Sequence, residues 1–214
     1  MKNNNTTIII SCAGMGTRLG IGMPKALVDV AGKPLIIRQL EMLNEYDDIR
    51  IVVGYQAERI IDLVKSFRKD IMFVFNYDYM STGTGASFSK GLVGAREYVV
   101  ALDGDLLVRP SDLHRFIDAD EELLGGAEPS TDDPVLMALD KKRYVVGFSR
   151  EKGDLEWTGL AKVRTARLVP GKGHVYQMLE PLLPIKVMTV HTREIDTMND
   201  YEKAVNWIKN NYQS

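Results

Sequence analysis

An α/β three-layer sandwich is the fold this sequence predicts, its mixed sheet mainly parallel with a small antiparallel β extension. Three observations carry the prediction. Apolar, β-branched runs alternate with amphipathic stretches through the first half of the chain, the order of a parallel sheet covered on both faces. The second half changes to short apolar runs joined by polar turns such as Asp140-Lys141-Lys142, an antiparallel signature. A glycine-rich, basic stretch follows the first strand, where open α/β sheets take their ligands.

Strands read at Thr6–Ser11, Ile49–Val53, Ile71–Phe75 and Tyr98–Leu102. Helical patterns lie between them, from Leu35 to about Asn44, over Ala57–Phe67 and over Ala86–Gly94, so the crossovers are right-handed. Pro110-Ser111-Asp112 opens a further helix, with Ser111 or Asp112 as its cap. Gly125–Asp133, rich in Gly, Pro, Ser and Asp, reads as a loop. Strands at Pro134–Leu139, Tyr144–Ser149 and Trp157–Leu168 make an insertion-like β region over about 134–168, twisted over the sheet edge. A helix at about Gly173–Leu182, a strand at Ile185–Val190 and an amphipathic helix around Asn199–Asn210 close the chain. With no repeat, low-complexity tract or linker in view, residues 1–214 read as one Rossmann-like domain.

Composition narrows the function. A chain of 214 residues with 45% apolar and 26% charged residues is ordinary for a globular domain with a substantial core. The formal charge of −2 supplies no global basic field for nucleic acid or anionic membrane. No apolar run is long enough to span a bilayer, and Met1–Asn5 lacks the apolar core of a signal peptide. The single cysteine, Cys12, precludes an internal disulfide and fits a reducing, cytoplasmic setting. At a strand end without a nearby His, it reads as a small buried residue rather than a nucleophile.

The loop itself is Ser11-Cys12-Ala13-Gly14-Met15-Gly16-Thr17-Arg18-Leu19-Gly20-Ile21-Gly22-Met23-Pro24-Lys25. Glycine lets backbone N–H groups approach an anion closely, and Arg18 and Lys25 add positive charge beside them. A polyphosphate site follows. Two familiar phosphate loops are excluded. G-x-G-x-x-G fails because Leu19 stands where the third glycine belongs, and the second strand ends in Gly54-Tyr55 without an acid. The P-loop fails because Gly32-Lys33 is followed by Pro34.

Ala13-Gly14-Met15-Gly16-Thr17-Arg18 followed by Pro24-Lys25 resembles the A-G-x-G-x-R…P-K signature of the sugar-phosphate and small-molecule nucleotidyltransferases. The likeness continues through Ala26-Leu27-Val28 and Gly32-Lys33-Pro34-Leu35. The short gap between Arg18 and Pro24 resembles CTP:phosphocholine and methylerythritol-phosphate cytidylyltransferases, and Glu194-Ile195-Asp196-Thr197-Met198-Asn199-Asp200-Tyr201 resembles a late segment of the phosphocholine enzymes. The resemblance implies Mg²⁺ held by Asp105 and Asp196, and Asp103 at a preceding acidic position of the nucleotide site. It implies substrate contacts from Ala13, whose backbone would help read the base, and from Gly14, Met15, Gly16 and Thr17 on the phosphates, with Arg18 and Lys25 as the catalytic cations. Gly83, Thr84 and Gly85 then lie against the base, although Gly83-Thr84 is the pair of the hexose enzymes rather than of the phosphocholine enzymes. By itself Asp103-Gly104-Asp105 is also a common turn, and Asp200 suits the first turn of the last helix.

The implied reaction moves a nucleotidyl group from an NTP, with CTP favoured, onto a phosphorylated small molecule of phosphocholine-like, phosphonate or related type. A sugar-1-phosphate nucleotidyltransferase is the alternative, and a nucleotide-sensing module on the same fold is the non-enzymatic one. A homodimer is compatible with the sequence. Other residues carry weaker signals. His114, His174 and His191 lack metal-ligand spacing, and His114 reads as an exposed helix residue. Trp207 fits an apolar stripe with Ala204 and Ile208. Trp157 with Asp154 and Glu156 can form a cation-binding wall or merely pack at a strand start. Lys162 is a candidate for meeting the acceptor phosphate.

Overall fold

The computed structural model describes residues 5–131 and 133–211. Met1–Asn4, part of the segment read as lacking a signal peptide, and Asp132 of the expected loop lie outside the described residues. In chain order the elements are β1 (Thr6–Cys12), α1 (Leu35–Met42), β2 (Ile49–Val53), α2 (Ala57–Phe67), β3 (Met72–Phe75), α3 (Thr84–Gly91), β4 (Tyr98–Asp103), β5 (Leu106–Val108) and α4 (Pro110–Asp118). There follow β6 (Leu123–Ala127), β7 (Leu136–Leu139), β8 (Tyr144–Ser149), β9 (Leu155–Arg164), α5 (Val175–Leu179), β10 (Ile185–Thr189), β11 (Thr192–Glu194) and α6 (Met198–Asn211).

Among the described residues, nine strands form one sheet in the order β3-β2-β1-β4-β9-β6-β10-β8-β7, and β11 pairs with β5 in a second, two-stranded sheet. The strands β3, β2, β1 and β4 run parallel. Ile8 and Ile10 of β1 face a core shared with Ile36 and Leu40 of α1, Ile60 of α2 and Phe116 of α4. Ile9 faces the opposite way, toward Phe88 of α3 and Met178 of α5. That alternation places helices on both faces, giving the Rossmann-like three-layer sandwich. Burying each such Ile is worth about 1.5–3 kcal/mol, which explains the continuous apolar character of β1.

The insertion-like region is an extension only in part. The β7–β8 hairpin lies at the sheet edge, but β9 enters the interior, antiparallel to both β4 and β6. Because β7 also pairs with β9, the strands β9, β6, β10, β8 and β7 close a circuit. The expected loop from Gly125 begins instead inside β6. Gly125 and Gly126 are there for close packing: a Cβ at Gly126 would fall 2.8 Å from Val187, and one at Gly125 would fall 2.6 Å from Thr158 Oγ1. The three-residue strands β5 and β11 have no legible pattern in the sequence.

Other differences have local causes. Arg109 is the N-cap of α4, with Pro110 in the first turn, rather than Ser111 or Asp112. Asp112 instead accepts bonds from the His191 backbone N–H and from its ring Nδ1. His114 is not simply exposed, since its Nε2 lies 2.6 Å from the Met42 carbonyl at the end of α1. The helix expected over 173–182 is α5 followed by a 3₁₀ turn, Glu180–Leu182, at Pro181. Asp200 serves the start of α6, accepting bonds from the Thr197 N–H and hydroxyl.

Lys162 does not reach toward an acceptor. It is 4% exposed, and its Nζ donates to the carbonyls of Ile117, at 2.7 Å, and Ala119 at the end of α4. Burial lowers its pKa, against weaker opposition from Asp120 and Asp118. Replacing it with Met would leave those carbonyls unpaired. Lys162→Met is therefore expected to cost about 1–3 kcal/mol of stability, read by chemical denaturation; an unchanged midpoint would contradict the tie.

Candidate active site

Three segments converge outside the carboxyl ends of β1 and β4. The first is the glycine-rich loop after β1, the second the Asp103-Gly104-Asp105 turn between β4 and β5, the third β11 and the residues after it. A cleft of about 290 Å³ between them is lined by Ala13, Gly14, Gly16, Thr17, Arg18, Lys25, Gly83, Thr84, Asp103, Asp105 and Glu194. Met15 and Gly85 do not line it. Met15 is 36% exposed, and the Gly85 N–H donates to the Gly173 carbonyl at 2.8 Å.

Glycine is required at two points of this architecture. Gly16 sits at φ 62°, disfavoured for other residues, and a Cβ there would fall 2.9 Å from Lys25 Cγ. A Cβ at Gly104 would lie 2.5 Å from Cys12 Sγ, so the acidic turn can rest directly on β1. Burial, with Asp105 and Asp103 next in effect, pushes the Cys12 thiol well above its ordinary pKa. Cys12 is thus the inert buried residue expected from the sequence.

The charges form one network. Lys25 Nζ stands 2.8 Å from Asp105 Oδ2 and also contacts Asp196 Oδ1, while the other oxygen of Asp196 pairs with Arg18. Burial alone would lower the Lys25 pKa, but Asp105 and then Asp196 outweigh it and hold the ammonium well above its usual value. Asp105, Glu194 and Asp196 present carboxylate oxygens that all lie within 4.8 Å of one another. Glu194 is exposed overall, yet loss of hydration at its carboxyl, followed by repulsion from Asp105, Asp103 and Asp196, pushes it up to about 8. Asp103 is pushed up to about 7 by burial first and Asp105 second, against Lys25.

Glu194 has no expected role from the sequence, where its position two residues before Asp196 is the available signal. Nothing in the sequence marks Gln39. Fully buried in α1, it donates through Nε2 to the Asp103 carbonyl at 2.8 Å and the Leu106 carbonyl at 2.9 Å, fixing both sides of the acidic turn.

One expectation gains a second cause and another needs correction. Gly83 lines the cleft in the stretch expected against a base, and the α-carbons of Gly83 and Gly85 also face the backbone of the 171–174 segment. A Cβ at Gly83 would fall 2.4 Å from the Gly173 carbonyl oxygen, and one at Gly85 2.8 Å from the same atom. Trp157, Asp154 and Glu156 do not build a cation wall. Asp154 accepts the Leu139 N–H at 2.8 Å, and Glu156, 7% exposed, accepts the Ser130 N–H at 2.6 Å and bonds Thr131. Trp157 packs edge-on with Phe148 and Tyr176.

A basic glycine loop facing clustered carboxylates at the carboxyl ends of a parallel sheet defines a phosphate-handling α/β domain. The chain belongs to the MobA-like NTP transferase family, whose domain matches residues 8–155. It is 34% identical over 124 residues to the bifunctional protein GlmU of Campylobacter concisus, across 57% of this chain and 28% of that protein. With GlmU of Methanococcus vannielii it shares 28% identity over 190 residues, 82% of this chain and 43% of that one. The chain thus spans less than half the length of either relative. The fold is shared with CTP:phosphocholine cytidylyltransferase (LicC) of Streptococcus pneumoniae, at a TM-score of 0.77 and 23% identity over 95% of this chain and 99% of that one. It is also shared with HddC of Yersinia pseudotuberculosis complexed with GMP-PN, at 0.74 and 21% over 94% and 99%.

The geometry yields two expectations. Removing the Lys25 charge relieves about 1–4 kcal/mol of repulsion toward a cation a few Å away. Lys25→Met should therefore bind Mn²⁺ added alone roughly tenfold or more tightly than the native chain, as counted by electron paramagnetic resonance; equal or weaker binding would contradict the network. Gly83→Val should lower the thermal midpoint by displacing the 171–174 backbone, rather than act on nucleotide affinity alone, and an unchanged melting curve would contradict that packing.

Proposed function

We propose that this domain transfers a nucleotidyl group from an NTP, CTP favoured, to a phosphorylated small-molecule acceptor and releases pyrophosphate. The observation that carries the reading is the meeting of Arg18 and Lys25 with Asp105, Glu194 and Asp196 across one cleft. Family membership supports it. The choice of CTP rests on the short Arg18–Pro24 gap and the late acidic segment, with the fold shared with the cytidylyltransferase as support.

In this reading an acceptor phosphate oxygen attacks the α-phosphorus in line, the new P–O bond forming as the bond to the pyrophosphate oxygen breaks. No general base is needed, because the second pKa of a phosphate monoester is about 6. The difficulty is bringing two polyanions together, so catalysis is positioning and charge neutralisation. Loop amides from Gly14 to Thr17, with Arg18, hold the β- and γ-phosphates. Lys25 leaves its acids to bridge the α-phosphate and the attacking phosphate. Three hard oxygens on clustered carboxylates suit Mg²⁺, and the Lys25 ammonium already bridges two of them as a cation would. Asp105, Glu194 and Asp196 would hold the ion, which supplies neutralisation of phosphate charge.

In this reading the acceptor binds beside the cleft. A recess of about 440 Å³ shares Arg18, Asp103 and Glu194 with the surroundings of the cleft and adds Ser130, Thr131, Arg150, Trp157, His174 and Tyr176. A second reading, a sugar-1-phosphate acceptor, is favoured by this mixture of hydroxyls, a guanidinium and aromatic faces, and by the Glu156 carboxylate at its wall being bonded to Ser130 and Thr131.

Pyrophosphate release from four NTPs against choline phosphate, a phosphonate and sugar 1-phosphates tests the reading. Turnover with CTP and one acceptor class is expected; none with any pair, Mg²⁺ present, would overturn it. Comparable kcat/KM for CTP and GTP would overturn the cytidylyl choice alone. Asp105→Asn and Asp196→Asn should each lose turnover by about two to three orders of magnitude and weaken Mg·NTP binding in calorimetry. Unchanged binding in both would remove the carboxylate site.

A further inference from the structure

The glycine loop is tied down unevenly. Leu19 is anchored in an apolar cluster, and Arg18 and Lys25 are tied to the acids opposite. Those ionic ties are the ones a nucleotide must take over, since its phosphates need both cations. Met23 packs against the same apolar cluster, while the outer arm between, Gly20 to Gly22, is intrinsically loose, with Gly20 at φ 73° and Gly22 at φ 66°. From outside the loop it is held by Gln56 Nε2, which donates to the Gly22 carbonyl at 3.0 Å. Tyr55 OH reaches the same oxygen at 3.5 Å.

Gln56 breaks two local rules to do this. It adopts φ 49°, ψ 39°, a left-handed conformation uncommon outside glycine. It is the N-cap of α2, yet makes no side-chain cap bond, in a position that favours Ser, Thr, Asp or Asn. Its amide is turned outward instead. Arg59 Nη1, one turn along α2, donates to Gln56 Oε1 at 2.5 Å. A guanidinium can only donate, so this contact fixes which end of the amide faces Arg59 and leaves the N–H₂ for Gly22. Ala31 and Arg143 also take positive φ; what sets Gln56 apart is that its side chain bonds the neighbouring phosphate loop.

We propose that Gln56 is a positioning residue for nucleotide binding: oriented by Arg59, it clamps the outer arm of the phosphate loop so that Arg18 and Lys25 stay aimed at the triphosphate once they release Asp196. The role rests on the nucleotidyl-transfer reading. The clamp itself exists in the nucleotide-free protein and can be tested without turnover.

The test uses Gln56→Gly, which relieves the backbone strain while removing the amide, and Gln56→Glu, which keeps the Arg59 contact but cannot donate to Gly22. Hydrogen–deuterium exchange of residues 14–24 is measured without nucleotide, together with the thermal midpoint, kcat and KM for CTP·Mg. Both variants should exchange the loop amides several-fold faster and raise KM by about 5- to 10-fold with kcat nearly unchanged, and Gln56→Gly should melt no lower than the native chain. Native-like loop exchange in either variant overturns the clamp. Faster exchange with an unchanged KM overturns its role in nucleotide binding. Absence of turnover in the native chain fails the transferase reading instead; the exchange measurement then still judges the clamp, and the Kd for CTP·Mg its role.

Discussion

A small apolar cluster governs the whole site. Leu19, Val28, Leu107, Ile195, Ala204 and Ile208 pack together at the edge of the main core. Each of the first four lies within three residues of a charged group of the cleft: Leu19 follows Arg18, Val28 follows the turn begun by Lys25, Leu107 lies two beyond Asp105, and Ile195 separates Glu194 from Asp196. Charges of opposite sign attract at any angle, but side-chain packing is directional and dense. The cluster therefore converts a general attraction between acids and bases into one arrangement, with α6 closing it through Ala204 and Ile208.

Within that arrangement the charges are balanced for exchange rather than for stability. A buried ion pair is weak evidence for stability, because desolvation opposes the Coulomb gain. Here three carboxylates crowd one place, and the raised Glu194 and Asp103 record the cost. Lys25 relieves it in the free protein. A ligand that brings its own anion and cation together replaces both partners at once, so the acids and the lysine are never left uncompensated.

The backbone supports of the site are neutral. Gln39 holds the carbonyls on both sides of the acidic turn, Gly104 lets that turn rest on Cys12, and Gln56 steadies the far arm of the glycine loop. Neutral amides suit this task because they fix geometry without adding to the local field. The second recess, around Trp157 and Tyr176, is built from β9 and α5, and so depends on the antiparallel half of the fold entering the interior of the sheet rather than decorating its edge.

How much of this was legible follows from the range of the interactions. The parallel strands and the helices α1, α2 and α6 were readable because apolar periodicity is local and repeats over many residues. Arg18, Lys25 and Asp105 stood out because glycine spacing and the acidic turn leave contiguous marks, and Asp196 through the resemblance of the late acidic segment. The strands β5 and β11 were not readable, being three residues each and paired only with one another. Gly125 and Gly126 misled because glycine signals a loop unless one knows what packs against it, and the packing of Gly83 and Gly85 against the 171–174 backbone was hidden for the same reason. Gln39, Gln56 and Lys162 act through bonds to residues 34 to 67 positions away, with no trace in the local sequence. Local pattern was enough for the charged groups and for the longer strands and helices. Which carboxylates meet Lys25, and which glycines face the cleft or another backbone, came from the packed fold, because those are settled by contacts between segments that no local pattern encodes.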